Sequence, residues 1–151
     1  MISFFKSKEK EEYTIIIGCG RLGAKIANTM SNNEENVLVI DKSESSYKRL
    51  SSEFGGINIF GDGMDIATLK EAEIEKASVL VAVTDDDNTN IMVAQIAKTI
   101  FNVPRVIARL YDPEKACVFE GQNIDIVCPA MLSADNIYNI LDNPKTEEGV
   151  R

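Results

Sequence analysis

The fold of this chain is decided by residues 13–23, which read YTIIIGCGRLG. Five β-forming residues run into glycines spaced G-x-G-x-x-G, and a helical pattern follows. Gly18 permits the tight turn, Gly20 lets the backbone approach a phosphate, and Gly23 lets the helix pack close to the strand. The N–H groups and positive dipole end of that helix would face the phosphates. The stretch therefore predicts a strand, a phosphate-binding loop and a helix.

Two charged residues extend this prediction. Asp41 ends the next apolar run, where a carboxylate accepts the hydroxyls of an adenosine ribose and repels a 2′-phosphate, which disfavours NADP. Capping of the following helix is the alternative role for Asp41. Arg21 opposes the helix dipole in the first turn, so it indicates either a nearby phosphate or a solvated arginine at a screened surface.

Polar residues also follow the third and fourth predicted strands. Gly61 and Asp62 close the third strand, so Asp62 either reaches the adenine or ribose or is a simple turn aspartate. Thr84 and Asp85 follow the fourth strand, with Asn90 one turn into the next helix. Among the three aspartates at positions 85–87 we expect one N-cap, while the others are either solvated or in contact with a ligand.

The length, net charge and cysteine content of the chain disfavour several classes of function. The 151 residues suit one domain and leave none for a second, substrate-holding domain. The net charge of −8 and the lack of a Lys/Arg cluster disfavour a nucleic-acid partner. Three cysteines without a CxxC predict neither a disulfide framework nor a zinc site and fit a reducing cytosol. No segment approaches 18 apolar residues, so we expect a soluble chain.

Short β-rich runs alternate with amphipathic runs six times. This pattern predicts an α/β fold, a Rossmann-like doubly wound sheet of six parallel strands. The predicted strands are 13–17, 37–40, 57–60, 79–83, 105–108 and 124–128, and helices are expected at 21–31, 43–56, 66–71, 85–101, from 112 and at 131–141. The chain divides into an extension (1–12), the Rossmann-like domain (13–129), a C-terminal helix (130–143) and a tail (144–151).

The C-terminal helix carries an apolar stripe at helical spacing, formed by Met131, Ala134, Ile137, Tyr138 and Leu141. It arrives after the sixth strand, when a single sheet has little uncovered surface left. The stripe therefore predicts packing against another subunit, with coverage of the sheet edge in the same chain as the alternative.

Taken together, the motifs resemble the nucleotide-binding lobe of bacterial potassium-transport regulators, the Trk/Ktr regulatory subunit family with its RCK/KTN (TrkA-N) domain. The resemblance covers residues 12–141 and rests on GCGRLG (18–23), Asp41, Gly61-Asp62, Thr84-Asp85-Asp86 with Asn90, and VIAR (106–109). It implies binding of ATP, ADP or NAD(H) and pairing through the final crossover helix into dimers and rings. It also implies gating of a membrane potassium channel or transporter from the cytoplasmic face.

The resemblance assigns roles to individual residues. It implies phosphate contacts for Gly18, Gly20, Arg21 and Gly23, a ribose contact for Asp41, and nucleoside contacts for Asp62 and Asp85. The expected cofactor-binding set is completed by Cys19, Leu22, Lys42, Gly61, Thr84, Asn90 and Arg105. Arg105 and Arg109 resemble basic positions near dimer and nucleotide contacts, and Glu120 resembles a family glutamate near a cation site at the dimer interface.

The chain departs from the family pattern in two ways, and two other functions are alternatives to the one that the resemblance implies. Family members often continue into a second ligand-binding lobe, so this chain is expected to be a stand-alone sensor or a truncated form. Asn123 replaces a usual glycine, and asparagine tolerates the left-handed backbone that the turn needs. The alternative functions are an NAD(H)-binding redox sensor and the dinucleotide-binding subunit of an NAD-dependent oxidoreductase. The chain has no histidine for proton transfer, and we expect no catalytic residues.

Overall fold

The computed structural model describes residues 12–143 and contains one sheet of six parallel strands. The spatial order is β3-β2-β1-β4-β5-β6, which is the order of a doubly wound dinucleotide-binding fold. The predicted fold class is confirmed. The strands are β1 Tyr13–Ile17, β2 Asn36–Asp41, β3 Ile57–Phe60, β4 Val79–Ala82, β5 Arg105–Arg109 and β6 Asp125–Val127. Residues 1–11 and 144–151, which hold most of the predicted extension and all of the predicted tail, lie outside the described residues.

Four α-helices accompany the strands, namely α1 Arg21–Asn32, α2 Ile66–Glu71, α3 Asp87–Gln95 and α4 Pro129–Asp142. Short 3₁₀ helices cover Glu44–Arg49, Ile74–Lys76 and Pro113–Phe119, and a π turn, Ile96–Ile100, ends α3. The helix expected at 43–56 is thus wrong in length and type, because Tyr47 is drawn onto the sheet, where its hydroxyl bonds backbone groups at the ends of β2 and β3. The helix expected from 112 is 3₁₀ rather than α.

Two apolar layers lie on opposite faces of the sheet. Successive residues of β1 belong to different layers, since Ile15 and Ile17 pack with α2 and α3, whereas Ile16 packs with α1. All three are at most 2% exposed, as expected for a central parallel strand. Connections leave β1 and β4 toward opposite faces, so a crevice opens at the carboxyl ends of these neighbouring strands.

Helix α4 stands apart from the core. None of its side chains is buried, and its large apolar residues are 49–72% exposed. Among residues 12–143, therefore, nothing covers the apolar stripe of α4.

The turn before β6 supplies the predicted left-handed residue, since Asn123 has a φ of 54°.

Candidate nucleotide-binding site

The β1–α1 turn is built for close backbone approach. The Gly18 N–H donates to the carbonyl oxygen of Ile40 over 2.8 Å, which ties the turn to β2. Gly18 has a φ of 104°, and a methyl group on its Cα would lie 2.9 Å from the backbone nitrogen of Thr84. Helix α1 then starts with Gly20 as an N-cap that offers no side-chain hydrogen bond and with no acid in its first turn. Its first N–H groups and positive dipole end are thus available to an anion.

Asp41 joins β2 to this turn. One carboxylate oxygen accepts the Cys19 N–H over 2.7 Å, and the other accepts the Ser43 N–H over 2.7 Å. The N-cap of the following 3₁₀ helix is Ser43, not Asp41. A carboxylate has about four acceptor positions, so two remain for ribose hydroxyls. Asp41 therefore supports the β1–α1 turn and still has free acceptor positions on the side of the cleft.

The half-buried Tyr47 and the buried Cys19 support the same corner. The Tyr47 hydroxyl accepts the Asp41 N–H over 2.8 Å, and burial raises the pKa of Tyr47 to about 12, so this hydroxyl stays protonated at neutral pH. Burial also raises the pKa of the Cys19 thiol, the Asp41 charge raises it further, and the Arg49 charge opposes both. Cys19 is fully buried. It is a packed thiol rather than a nucleophile.

The predicted ligand contact by Asn90 is not what the structure contains. Asn90 is 0% exposed. Its amide nitrogen donates to the carbonyl oxygens of Thr84 (3.0 Å) and Arg109 (2.9 Å), and its oxygen accepts from the backbone N–H and the hydroxyl of Thr84. Every polar atom of the side chain is used, so Asn90 holds the end of β4 to the end of β5 from behind the cleft.

The three aspartates after Thr84 have different roles. Asp86 is the N-cap of α3 and accepts from the Asn88 N–H and the Thr89 hydroxyl, whose hydrogen bond lowers the pKa of Asp86. Asp85 lines the cleft. Asp87 instead turns to the loop after β5, where it accepts two backbone N–H groups. The expectation of one N-cap among the three is met by Asp86.

A cleft of about 740 Å³ opens at this edge of the sheet. Ten predicted residues line it, namely Gly18, Gly20, Arg21, Leu22, Asp41, Lys42, Gly61, Asp62, Thr84 and Asp85. Cys19, Gly23 and Asn90 lie behind its wall and are all buried. The carboxylate of Asp62 also accepts the Met64 N–H over 2.9 Å, so it combines the turn role with a place in the cleft.

The two arginines of β5 lie at opposite ends of the strand. Arg105 begins the strand at the opposite edge of the sheet, where its Nε lies 3.7 Å from the Asp125 carboxylate, so the structure does not bring it to the cleft. Arg109 ends the strand, lines the cleft and donates to the Thr84 carbonyl oxygen over 3.0 Å. Within residues 12–143, no carboxylate lies within 4.0 Å of the Arg109 guanidinium.

Glu120 is exposed, and the cation site expected near it at a dimer interface stays a prediction.

The sequence did not predict the cleft residues that come from the 3₁₀ segment Glu44–Arg49 and its cap. Ser43, Ser46 and Arg49 line the cleft. The Asn28 side chain holds this segment on α1, since it donates to the Arg49 carbonyl oxygen (3.1 Å) and accepts the Ser51 N–H (2.9 Å). No motif spacing could have found these residues, because the fold of the segment brings them in.

This chain resembles known proteins in both sequence and fold. Residues 14–129 match the model of the TrkA-N domain family. The chain belongs to the TrkA-N domain family. The resemblance to Trk/Ktr regulators with an RCK/KTN domain is thereby confirmed.

Two curated relatives are Trk system potassium uptake proteins. The TrkA protein of Streptomyces coelicolor is 40% identical over 129 residues, which cover 85% of this chain and 58% of the relative. The TrkA homolog of Methanothermobacter thermautotrophicus is 30% identical over 137 residues, which cover 90% of this chain and 63% of the relative. The chain thus spans about 60% of the length of these relatives.

Solved structures of GsuK share the fold. The GsuK RCK domain is 26% identical with a TM-score of 0.77, over 90% of this chain and 29% of that one. GsuK bound to ADP is 26% identical with a TM-score of 0.76, over 91% of this chain and 36% of that one.

In the part of the chain that the structure describes, no helix is long and apolar enough to cross a membrane.

Proposed function

We propose that this chain binds an adenine nucleotide, ATP/ADP or NAD(H), and acts as a cytoplasmic regulatory subunit that gates a membrane potassium channel or transporter of the Trk/Ktr type. The observation that carries the proposal is one cleft that joins the start of α1, Asp41 and Asp62. Its volume of about 740 Å³ lies in the range of small-molecule sites. The potassium-uptake relatives and the ADP-bound GsuK structure support the same conclusion.

Each part of an adenine nucleotide has a matching group in the cleft. The phosphates lie at the start of α1, against Gly20 and Arg21, where N–H groups and a cation neutralise them. The ribose hydroxyls donate to the remaining acceptor positions of Asp41, and the adenosine extends toward Asp62. A 2′-phosphate would meet the Asp41 charge, so NADP binds more weakly.

Gating requires that the nucleotide site be coupled to an assembly. We place the subunit contact on the exposed apolar stripe of α4, which would pair two chains and bring two nucleotide sites into one dimer or larger ring. A ligand shifts such a pair only if it binds one arrangement more tightly than the other. The assembly would then act on a membrane partner at the inner face of the cell membrane.

An NAD(H)-binding redox sensor is the second candidate. The cleft continues from α1 past Thr84 to Arg109 and Pro129, which leaves room for the second half of a dinucleotide, and GsuK has been solved bound to NAD. The dinucleotide-binding subunit of an NAD-dependent oxidoreductase is less favoured, because the chain has no histidine for proton transfer. Competition between NADH and ATP separates the sensor from the ATP/ADP regulator.

We expect adenine nucleotides to raise the thermal stability of the protein, with NADP doing so least. At a hundredfold excess over the dissociation constant the gain is about 2.7 kcal/mol, because the ligand binds the native state alone. Thermal-shift measurements with ATP, ADP, AMP, NAD, NADH and NADP check this. An unchanged midpoint with all six would refute nucleotide binding.

Arg21→Gln is expected to weaken ATP more than AMP. Arg21 lines the cleft beside the first turn of α1, where only a longer phosphate chain gains fully from its charge. One charge-assisted contact is worth about 1.5–3 kcal/mol, or roughly tenfold to a hundredfold in affinity. Titration calorimetry measures the ratio of the two losses, and Lys25→Gln on the same helix outside the cleft is the control. Equal losses for both nucleotides would leave Arg21 as a solvated arginine.

Ile137→Asp is expected to dissociate the assembly. Ile137 is 59% exposed within the apolar stripe, and a charge buried in a subunit contact without a partner is strongly unfavourable. Light scattering at micromolar concentration should show a dimer or larger ring for the wild type and a monomer for the variant. Asn139→Asp adds the same charge outside the stripe and should leave the assembly intact. A monomeric wild type, with and without nucleotide, would contradict the gating arrangement.

A further inference from the structure

We propose that Asp87 is a positioning residue that carries nucleotide occupancy of the cleft to the loop after β5. The proposal rests on the proposed function, since it concerns how binding at that site is transmitted. Asp87 is the first residue of α3 and does not line the cleft. Its role is therefore separable from ligand contact.

The carboxylate of Asp87 is committed to the neighbouring loop. One oxygen accepts the Tyr111 N–H over 2.7 Å, and the other accepts the Asp112 N–H over 3.0 Å. The side chain is only 10% exposed, so water competes little for these bonds. Charge-assisted hydrogen bonds are roughly twice as strong as neutral ones. Asp87 thus fastens the start of α3 to the loop at 111–112.

On the cleft side, Asp87 belongs to a turn whose residues are joined by hydrogen bonds. Thr84, Asp85 and Asp86 precede it directly and line the cleft, as does Thr89 two residues later. From inside the core, the Asn90 side chain forms hydrogen bonds with both the backbone and the hydroxyl of Thr84. We therefore expect a ligand that orders or shifts this turn to act on Asp87 as well.

On the far side, the loop leads to the 3₁₀ helix Pro113–Phe119 and to β6, which precedes α4. Asp112 caps the 3₁₀ helix Pro113–Phe119 by accepting the Glu114 N–H over 3.0 Å. The neighbouring Leu110 N–H donates to the carbonyl oxygen of Val127 in β6, two residues before α4 begins. Hydrogen bonds and the chain itself therefore connect the cleft to the region before α4, and Asp87 supplies the two bonds that fasten the start of α3 to residues 111 and 112.

A nearby cation supplies the control. The Lys115 ammonium lies 3.9 Å from the Asp87 carboxylate and is 40% exposed. The 3.9 Å separation is at the limit of an ion pair and the lysine is partly in water, so the pair contributes little. Lys115→Met removes the charge pair and leaves both backbone hydrogen bonds of Asp87 in place, whereas Asp87→Asn keeps the shape and loses one acceptor together with the charge.

The experiment is hydrogen exchange resolved by residue on the full chain, with and without saturating ATP and, separately, NADH. In the wild type and in Lys115→Met, we expect nucleotide to slow exchange of the Cys19 amide and also, at least threefold, of the Tyr111 and Asp112 amides. In Asp87→Asn, nucleotide should still slow Cys19, with a dissociation constant within threefold of the wild type. The slowing at residues 111 and 112 should be lost.

The outcomes separate the two proposals. If nucleotide slows Cys19 but not residues 111 and 112 in the wild type, or slows them equally in Asp87→Asn, the positioning role is overturned while nucleotide binding stands. If neither nucleotide changes exchange at Cys19 or anywhere else in the wild type, the proposed function fails. Equal loss of the response in Lys115→Met would assign the link to the ion pair and overturn the role of the two hydrogen bonds.

Discussion

Gly23→Ala is expected to lower the free energy of unfolding by about 3 kcal/mol or more, out of the 5–15 kcal/mol typical of a domain. A methyl group at Gly23 would overlap the carbonyl oxygen of Gly18. Neither partner can give way easily, because the Gly18 backbone is bonded to β2 and packed against Thr84. Urea unfolding followed by circular dichroism measures the loss.

Gly20→Ala is the matched control. A methyl group there meets no atom within 4 Å, and Gly20 has an ordinary φ of −74°. Its stability should stay within about 1 kcal/mol of the wild type, since Gly→Ala at a compatible site changes little. Nucleotide affinity should nevertheless fall, because the added methyl group points into the space that a phosphate needs. A Gly23→Ala protein as stable as Gly20→Ala would refute the close helix–strand contact.

Asp41→Ala is expected to weaken every adenine nucleotide about a hundredfold, which corresponds to about 2.7 kcal/mol. Two effects add. The ribose loses its acceptor, and the Cys19 N–H in the phosphate loop loses a 2.7 Å bond to the carboxylate. The preference for NAD over NADP should shrink at the same time, because the charge that repels a 2′-phosphate is gone. Calorimetric titrations with ATP, NAD and NADP measure both changes.

Asp62→Ala serves as the comparison for Asp41→Ala. Asp62 lies in the same cleft, but within residues 12–143 its carboxylate accepts a hydrogen bond only from the Met64 N–H of its own turn. We expect a loss of tenfold or less, since the phosphate loop keeps its anchor. If both variants lose the same affinity, Asp41 has no special part in holding the loop and ribose together.

Local pattern was sufficient for the framework of the site. The strand, glycine turn and helix of residues 13–23 are set by neighbours in the chain, because each glycine role depends on a spacing of two or three residues. Asp41 follows from the same logic, since β2 pairs with β1 and must end at the same edge of the sheet. The predicted sheet agrees with the structure, and ten of the predicted cofactor-binding residues line one cleft, while their contacts with a ligand stay predictions.

The sequence by itself therefore determined which residues end strands at the carboxyl edge of the sheet, where the cleft opens. Only the tertiary structure decided which side chains then turn toward the cleft. Asn90 faces the core because two carbonyl oxygens there need a donor. Arg105 and Arg109 lie about 13 Å apart at opposite ends of one strand, four steps of about 3.3 Å. Arg49 reaches the cleft because Asn28 fastens its segment to α1, a contact between residues 21 positions apart that no local spacing encodes.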